Sequence, residues 1–195
     1  MKKFAIVLSC CGVFDVAEIH EATLSMLAVA RQDCSYQVFA PDVPQHHVIN
    51  HLKGEEMDES RNVLVESARI ARGKIQDLDL FSPADFDGLL FPGGFGAAKN
   101  LSSWAFDGAD ASVLPGVEKA IQGMVQEKKP IGALCISPVL LAKVLRSVKV
   151  TIGDDEGTAR AIESAGATHQ DSTHGEVVID ETFRVVTTPC YMLDA

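Results

Sequence analysis

The sequence predicts an α/β fold built on a mainly parallel sheet, and three observations carry that reading. Short, continuous apolar runs alternate with stretches whose apolar residues recur at helical spacing. The runs are apolar at consecutive positions, as strands covered on both faces require. Two of them, 87–91 and 131–134, lead straight into Pro92-Gly93-Gly94 and Cys135-Ile136-Ser137-Pro138, residues suited to tight turns at a strand's carboxyl end.

Residues 4–9 form the first strand of this reading, and Ile19, Ala22, Met26, Leu27 and Ala30 give residues 18–31 the stripe of an amphipathic helix. Residues 36–40 are a second strand, stopped by Pro41. Residues 42–60 are polar, hold His46, His47 and His51, and read as an insertion before a helix over 61–71. After the strand at 87–91, Pro115 sits where a first helical turn tolerates proline, and Val117, Ile121, Met124 and Val125 supply the next stripe. The strand 131–134 is followed by a helix over 138–146, a strand over 148–152 and a helix over 157–165. Residues 176–179 and 184–188 form a closing hairpin.

At 195 residues, 47% hydrophobic and 23% charged, the chain predicts one compact domain, residues 1–195, and is not disordered in bulk. Seventeen basic residues face 27 acidic ones, a net charge of −10 that repels nucleic acid and anionic membrane surfaces. No apolar stretch reaches the ~18 residues of a membrane helix. Lys2, Lys3 and the run that follows do not make a signal peptide, because the run is short and Asp15, Glu18 and Glu21 come at once. Five cysteines, an odd number without C-x-x-C or zinc spacing, argue for a reducing cytoplasm and against a disulfide framework or a metal site.

Cys135 has the most informative setting. A buried strand that turns directly into a helix holds a side chain over the helix N-terminus, where N–H groups and the helix dipole lower a thiol's pKa. Spacing alone leaves two readings, a nucleophile or a small buried hydrophobe. The glycines of Pro92–Asn100 let main-chain N–H groups approach a bound oxygen, yet the stretch fits neither a P-loop nor a dinucleotide fingerprint. Glu18 opens the first helix beside the same sheet edge. It reads either as a proton-carrying partner of a thiolate or as a first-turn acid favoured by the dipole. The six histidines are scattered, His47 and His51 lack the glutamate of a metalloprotease motif, and His20 reads as facing away from Glu18.

At Cys11–Val13, Glu18-Ile19-His20-Glu21, Phe39–Asp42, Ser60–Leu64, Pro92–Asn100, Cys135 with Pro138, and Val186–Pro189, the chain resembles the enhancing-lycopene-biosynthesis (ElbB) proteins and their mitochondrial relatives. These lie within the class I glutamine amidotransferase-like superfamily that includes PfpI-type proteins and Parkinson-associated deglycases. The resemblance implies a flavodoxin-like three-layer sandwich, Cys135 on the elbow and Glu18 as its acidic partner. It implies a glyoxalase III-like lyase, or a deglycase, converting small dicarbonyls such as glyoxal to hydroxy acids without metal, glutathione or other cofactor, with a link to isoprenoid biosynthesis. Cys10 replaces an expected glycine, and Thr187-Thr188-Pro189-Cys190 stands where true amidotransferases carry His-Pro-Glu.

The combined expectation is a cytoplasmic, cofactor-independent enzyme for small aldehydes. Cys135 attacks the carbonyl, Glu18 moves protons, the N–H groups of Gly94 and Ile136 hold the oxyanion, and Phe95 and Asn100 touch the substrate. Cys135 is expected to be the one cysteine of strongly lowered pKa. The alternatives are an amidotransferase-like hydrolase and a redox sensor or binding protein that oxidises Cys135 without turnover. Relatives continue for about one more helix beyond Ala195, so an uncovered apolar face and a homodimer are also expected.

Overall fold

A computed structural model describes residues 1–193. The first half runs β1 (Lys3–Val7), α1 (Ile19–Arg31), β2 (Ser35–Ala40), β3 (Val48–Asn50), β4 (Glu55–Met57), α2 (Val63–Ile70), β5 (Ile75–Asp77) and β6 (Gly88–Phe91). The second runs α3 (Gly96–Lys99), α4 (Trp104–Asp107), α5 (Pro115–Gln126), β7 (Ile131–Leu134), α6 (Pro138–Leu145) and β8 (Lys149–Val150). It finishes with α7 (Glu156–Ser164), β9 (Thr168–His169), β10 (Val178–Asp180) and β11 (Val185–Thr188).

Seven strands form one sheet in the order β10-β11-β7-β6-β1-β2-β5, parallel throughout except for β10. From β1 the chain moves outward to β2 and β5, then crosses back to β6, β7 and β11 on the other side. Loops leaving the carboxyl ends of β1 and β6 therefore diverge, which opens the crevice where open α/β sheets bind ligands.

Strand β1 explains why the apolar runs are continuous. Its Ile6, with Leu8 just beyond, packs against Ala22 and Met26 of α1, while Ala5 and Val7 join Leu89, Phe91, Ile131, Ile121 and Leu140 on the opposite face. Helices thus cover both faces, giving the three-layer flavodoxin-like sandwich, and each such side chain contributes about 1.5–3 kcal/mol when buried. The closing hairpin is present, with Ile179 paired to Val186.

Three segments differ from expectation. The polar insertion is not all loop, because β3 and β4 pair as a hairpin across it. The edge strand β5 has too few residues to show a pattern. The strand expected over 148–152 shrinks to β8, which pairs with β9 outside the main sheet. The reason lies in side chains: the Lys149 N–H donates to Asp180 Oδ2 at 2.8 Å and the Thr151 N–H to Thr187 Oγ1 at 2.9 Å, so no sheet ladder forms there. Residues Cys190–Leu193 close into a 3₁₀ turn against the crevice. The expectation about the chain's end falls on Asp194 and Ala195, outside the described residues.

Candidate active site

Cys135 directly follows β7 with φ at +57°, in the left-handed region that a side chain with a Cβ enters only under constraint. Its N–H donates to Thr188 O at 3.0 Å, the next N–H but one, from Ser137, to Leu134 O at 2.9 Å, and the Ser137 hydroxyl to Pro92 O at 2.7 Å. These bonds hold a conformation that costs roughly 1–3 kcal/mol. The elbow read from the sequence is therefore present, with its sulfur facing the N–H groups of Gly94 and Ile136. Gly94 reaches that place with φ at +94°, and a Cβ there would lie 2.3 Å from the Glu18 nitrogen.

The hydrogen bond expected of Glu18 belongs instead to Glu21, which shares one with the Cys135 thiol. Glu21 Oε2 also accepts from the Gly93 N–H at 2.7 Å, and Oε1 from the Tyr191 N–H at 3.4 Å. Glu18 is the N-cap of α1: its Oε2 accepts from the Glu21 N–H. That leaves Glu18 Oε1 to meet His20 Nδ1 at 3.3 Å, with the Tyr191 hydroxyl 3.4 Å from the same nitrogen. His20 is thus brought to Glu18, contrary to the helical-face argument, because a capping side chain folds over the first turn rather than following the helix period. The spacing Glu18-x-x-Glu21 is the signal that could have found this, since a cap and the residue three further on face one another.

Burial and the neighbouring Glu21 charge push the Cys135 thiol up to about 12, against the lowering by the Gly94 and Ile136 N–H groups. The expected low pKa is thereby overturned: the favourable backbone dipoles are present, but desolvation and a like charge outweigh them. Burial likewise raises the Glu21 carboxyl, so each member of the pair resists ionisation in the presence of the other. Burial and the Glu21 charge push the Cys190 thiol up to about 11 as well.

A pocket of about 360 Å³ opens over the thiol, lined by Val13, Phe14, Glu18, His20, Gly94, Phe95, Cys135, Ile136, Tyr191 and Met192. Phe95, Gly94 and Ile136 are where the sequence put them. Asn100 is not: it is buried, with Nδ2 donating to Asp15 O at 2.8 Å and Oδ1 accepting from the His46 N–H at 2.9 Å. Its amide ties the loop over 10–17 to the polar insertion and does not line the pocket. The insertion reinforces this loop through His51, whose Nε2 accepts from the Val13 N–H at 3.0 Å and the Phe14 N–H at 3.3 Å. Asp15 completes the clamp, its Oδ2 accepting from Ile49 N–H at 2.6 Å and Gln45 Nε2 at 3.0 Å. Among the described residues, no three His, Cys, Asp or Glu side chains gather as metal ligands.

This strand order, with helices on both faces, is the fold found in DJ-1/ThiJ/PfpI-like proteins. A DJ-1 superfamily protein from Agrobacterium tumefaciens shares the fold at TM-score 0.56 and 18% identity, over 96% of this chain and 81% of that one. The chain belongs to the ES1 family of glutamine amidotransferase-like class 1 domain-containing proteins. It is 51% identical over 202 residues to the human mitochondrial domain-containing protein 3, covering 98% of this chain and 75% of the human one. To the mitochondrial ES1 protein of Danio rerio it is 35% identical, covering 96% and 76%. A crystal structure of an isoprenoid biosynthesis protein with an amidotransferase-like domain, from Ehrlichia chaffeensis, superposes at TM-score 0.91 with 40% identity, over 98% of this chain and 89% of that one. No family model matches the chain. Mitochondrial is a word in the relatives' names; among the described residues of this chain, no helix is long and apolar enough to cross a membrane.

Proposed function

We propose that the protein is a Cys135-dependent enzyme of glyoxalase or deglycase type, acting on small carbonyl compounds in a reducing, cytoplasmic setting. The observation that carries this is the hydrogen bond between Cys135 and Glu21 beneath an open pocket. A thiol with a raised pKa is a poor leaving proton source in water but gives a strongly nucleophilic sulfur once its proton has somewhere to go. Glu21, itself raised by burial, is that acceptor.

For a ketoaldehyde, the sulfur bonds to the aldehyde carbon as the thiol proton passes by way of Glu21 to the carbonyl oxygen, which becomes a hydroxyl. The Gly94 and Ile136 N–H groups steady negative charge on the sulfur and on the adjoining oxygen as it develops. His20, whose Nδ1 meets Glu18 Oε1 at 3.3 Å, moves the proton from the former aldehyde carbon to its neighbour while the hydroxyl proton passes to the adjacent ketone oxygen, leaving a thioester beside a hydroxyl. Water then cleaves the resulting thioester, releasing a hydroxy acid and restoring the thiol. The balance is one carbonyl compound plus one water to one hydroxy acid.

A hydrolase of amidotransferase type is less well supported, since the thiol's hydrogen-bond partner is a carboxyl rather than an imidazole. A redox role has one observation in its favour, the Cys190 sulfur lying against the Cys135 backbone. A link to isoprenoid chemistry rests on the name of the Ehrlichia chaffeensis relative. The deciding experiment is hydroxy acid production by wild type, Cys135→Ser and Glu21→Gln, with mass spectrometry for an acyl adduct on Cys135. Equal rates in wild type and Cys135→Ser would sink the reading.

A further inference from the structure

The pocket over Cys135 is far larger and more apolar than a dicarbonyl of four heavy atoms requires. Its volume is about 360 Å³, within the range of sites that enclose whole organic ligands. Phe14, Phe95 and Tyr191 line it while 43%, 44% and 45% exposed, so three aromatic side chains stand nearly half in water around one nucleophile. Val13, Ile136 and Met192 complete the apolar wall, and the polar groups collect at Cys135, Glu18 and His20.

The rings are held rather than loose. Phe14 lies against the His51 ring with centroids 5.0 Å apart, and His51 itself accepts from the backbone at residues 13 and 14. The Lys99 ammonium sits 5.2 Å from the Phe95 ring centre and donates to Phe14 O at 2.7 Å. An apolar surface ordered before its ligand arrives spares the ligand that entropy loss on binding. Among the described residues no lysine or arginine lines the pocket, the Glu18 carboxyl does, and the chain carries −10 overall, which turns away anions.

We propose that the substrate is a neutral carbonyl compound bearing an apolar arm, an aryl or branched alkyl group beside the reacting carbonyl, which lies between Phe14, Phe95 and Tyr191. This rests on the thiol-addition reading above and narrows it. The chemistry is unchanged: a carbon–sulfur bond forms and the thiol proton ends, by way of Glu21, on the carbonyl oxygen as a hydroxyl, with no oxidant or reductant.

The test compares phenylglyoxal, methylglyoxal and glyoxal on the full chain, with Cys135→Ser as control. Phenylglyoxal should exceed glyoxal in kcat/KM at least ten-fold, chiefly through KM. Phe95→Ala and Phe14→Ala should each lower that ratio at least five-fold. Glyoxal equal or better, with the ratio unmoved in both variants, overturns the apolar class while leaving thiol addition standing. A binding readout separates the two claims: acetophenone, which is not turned over, should slow iodoacetamide labelling of Cys135 where acetone does not, and Phe95→Ala should abolish the protection. Protection without turnover of any ketoaldehyde sinks the enzymatic reading and keeps the apolar preference. Turnover with equal protection by acetone and acetophenone rejects the preference.

Discussion

The Gly93 amide donates to Glu21 Oε2 at 2.7 Å, and the space that a Cβ on residue 93 needs is occupied by that oxygen and by Cys135. The thiol and the carboxyl meet because nothing projects between them.

Gly93→Ala tests this directly. The added Cβ falls 2.3 Å from Cys135 Cβ and 2.5 Å from Glu21 Oε2, so the pair must separate or the backbone must shift. Overpacking of this kind costs about 1–3 kcal/mol. The melting temperature should fall by several degrees and turnover should drop at least as far as in Glu21→Gln. An alanine variant with wild-type turnover is the result that contradicts the geometry.

Glu21→Gln removes a negative charge beside the thiol, so the Cys135 pKa should fall from about 12, by about 1–3 pH units. Iodoacetamide labelling against pH, read at Cys135 by mass spectrometry, measures it. A linked effect on stability has a definite sign. The folded-state value lies above the ordinary 9, so the folded protein holds this proton longer than the unfolded chain. Stability from this group is therefore intact below pH 9 and lost as pH rises toward 12, and Glu21→Gln should narrow that alkaline loss.

Glu18 and His20 separate by different signatures. Glu18→Ala deletes the cap of α1 and should lower stability by about 0.5–2 kcal/mol, whereas Glu18→Gln keeps an accepting oxygen and should lose much less. His20→Asn touches a side chain mostly in solvent and should leave the melt unchanged while lowering turnover. Unaltered turnover in His20→Asn returns the proton step to Glu18 alone.

Asn100→Ala leaves Asp15 O and the His46 N–H without the bonds they now have, a loss of about 1–3 kcal/mol. Hydrogen exchange should quicken across residues 13 and 14 before any other part of the pocket responds. Faster exchange confined to α4 would show that the amide does not clamp that loop.

Ile179 and Val186 stand opposite one another across the hairpin, 50% and 37% exposed, with Val177 beside them at 54%. The homodimer expected from the sequence should use this strip, since apolar side chains that pair across an exposed face gain most from a second copy. Sedimentation should show a dimer at micromolar concentration in wild type and a monomer in Ile179→Lys; a wild-type monomer refutes it.

Much of this molecule was legible before its structure because the relevant signals are local. The strand-to-helix elbow at Cys135, the glycines at 93 and 94 and the continuous apolar runs each occupy a few adjacent residues. What the sequence hid depends on distant partners. Glu18 and Glu21 are both plausible acids, and only the path of the Gly93 loop decides which one faces the sulfur. Asn100 sits in a functional-looking stretch, yet Asp15 and His46 claim both ends of its amide. The thiol pKa followed burial and a carboxyl brought in from α1, neither visible in the turn itself. Strands as short as β5, β8 and β9 carry no period to detect.

The wall over Cys135 is drawn from residues as far apart as Val13 and Met192, and β11, which delivers Tyr191 and Met192, lies inside the sheet between β10 and β7. During synthesis the elbow cysteine is therefore made long before its enclosure exists. Until Val185–Thr188 inserts, Glu21 lacks the Tyr191 N–H and the Cys135 N–H lacks the Thr188 carbonyl. The nascent chain thus presents its cysteine without the wall and the bonds that surround it in the folded protein.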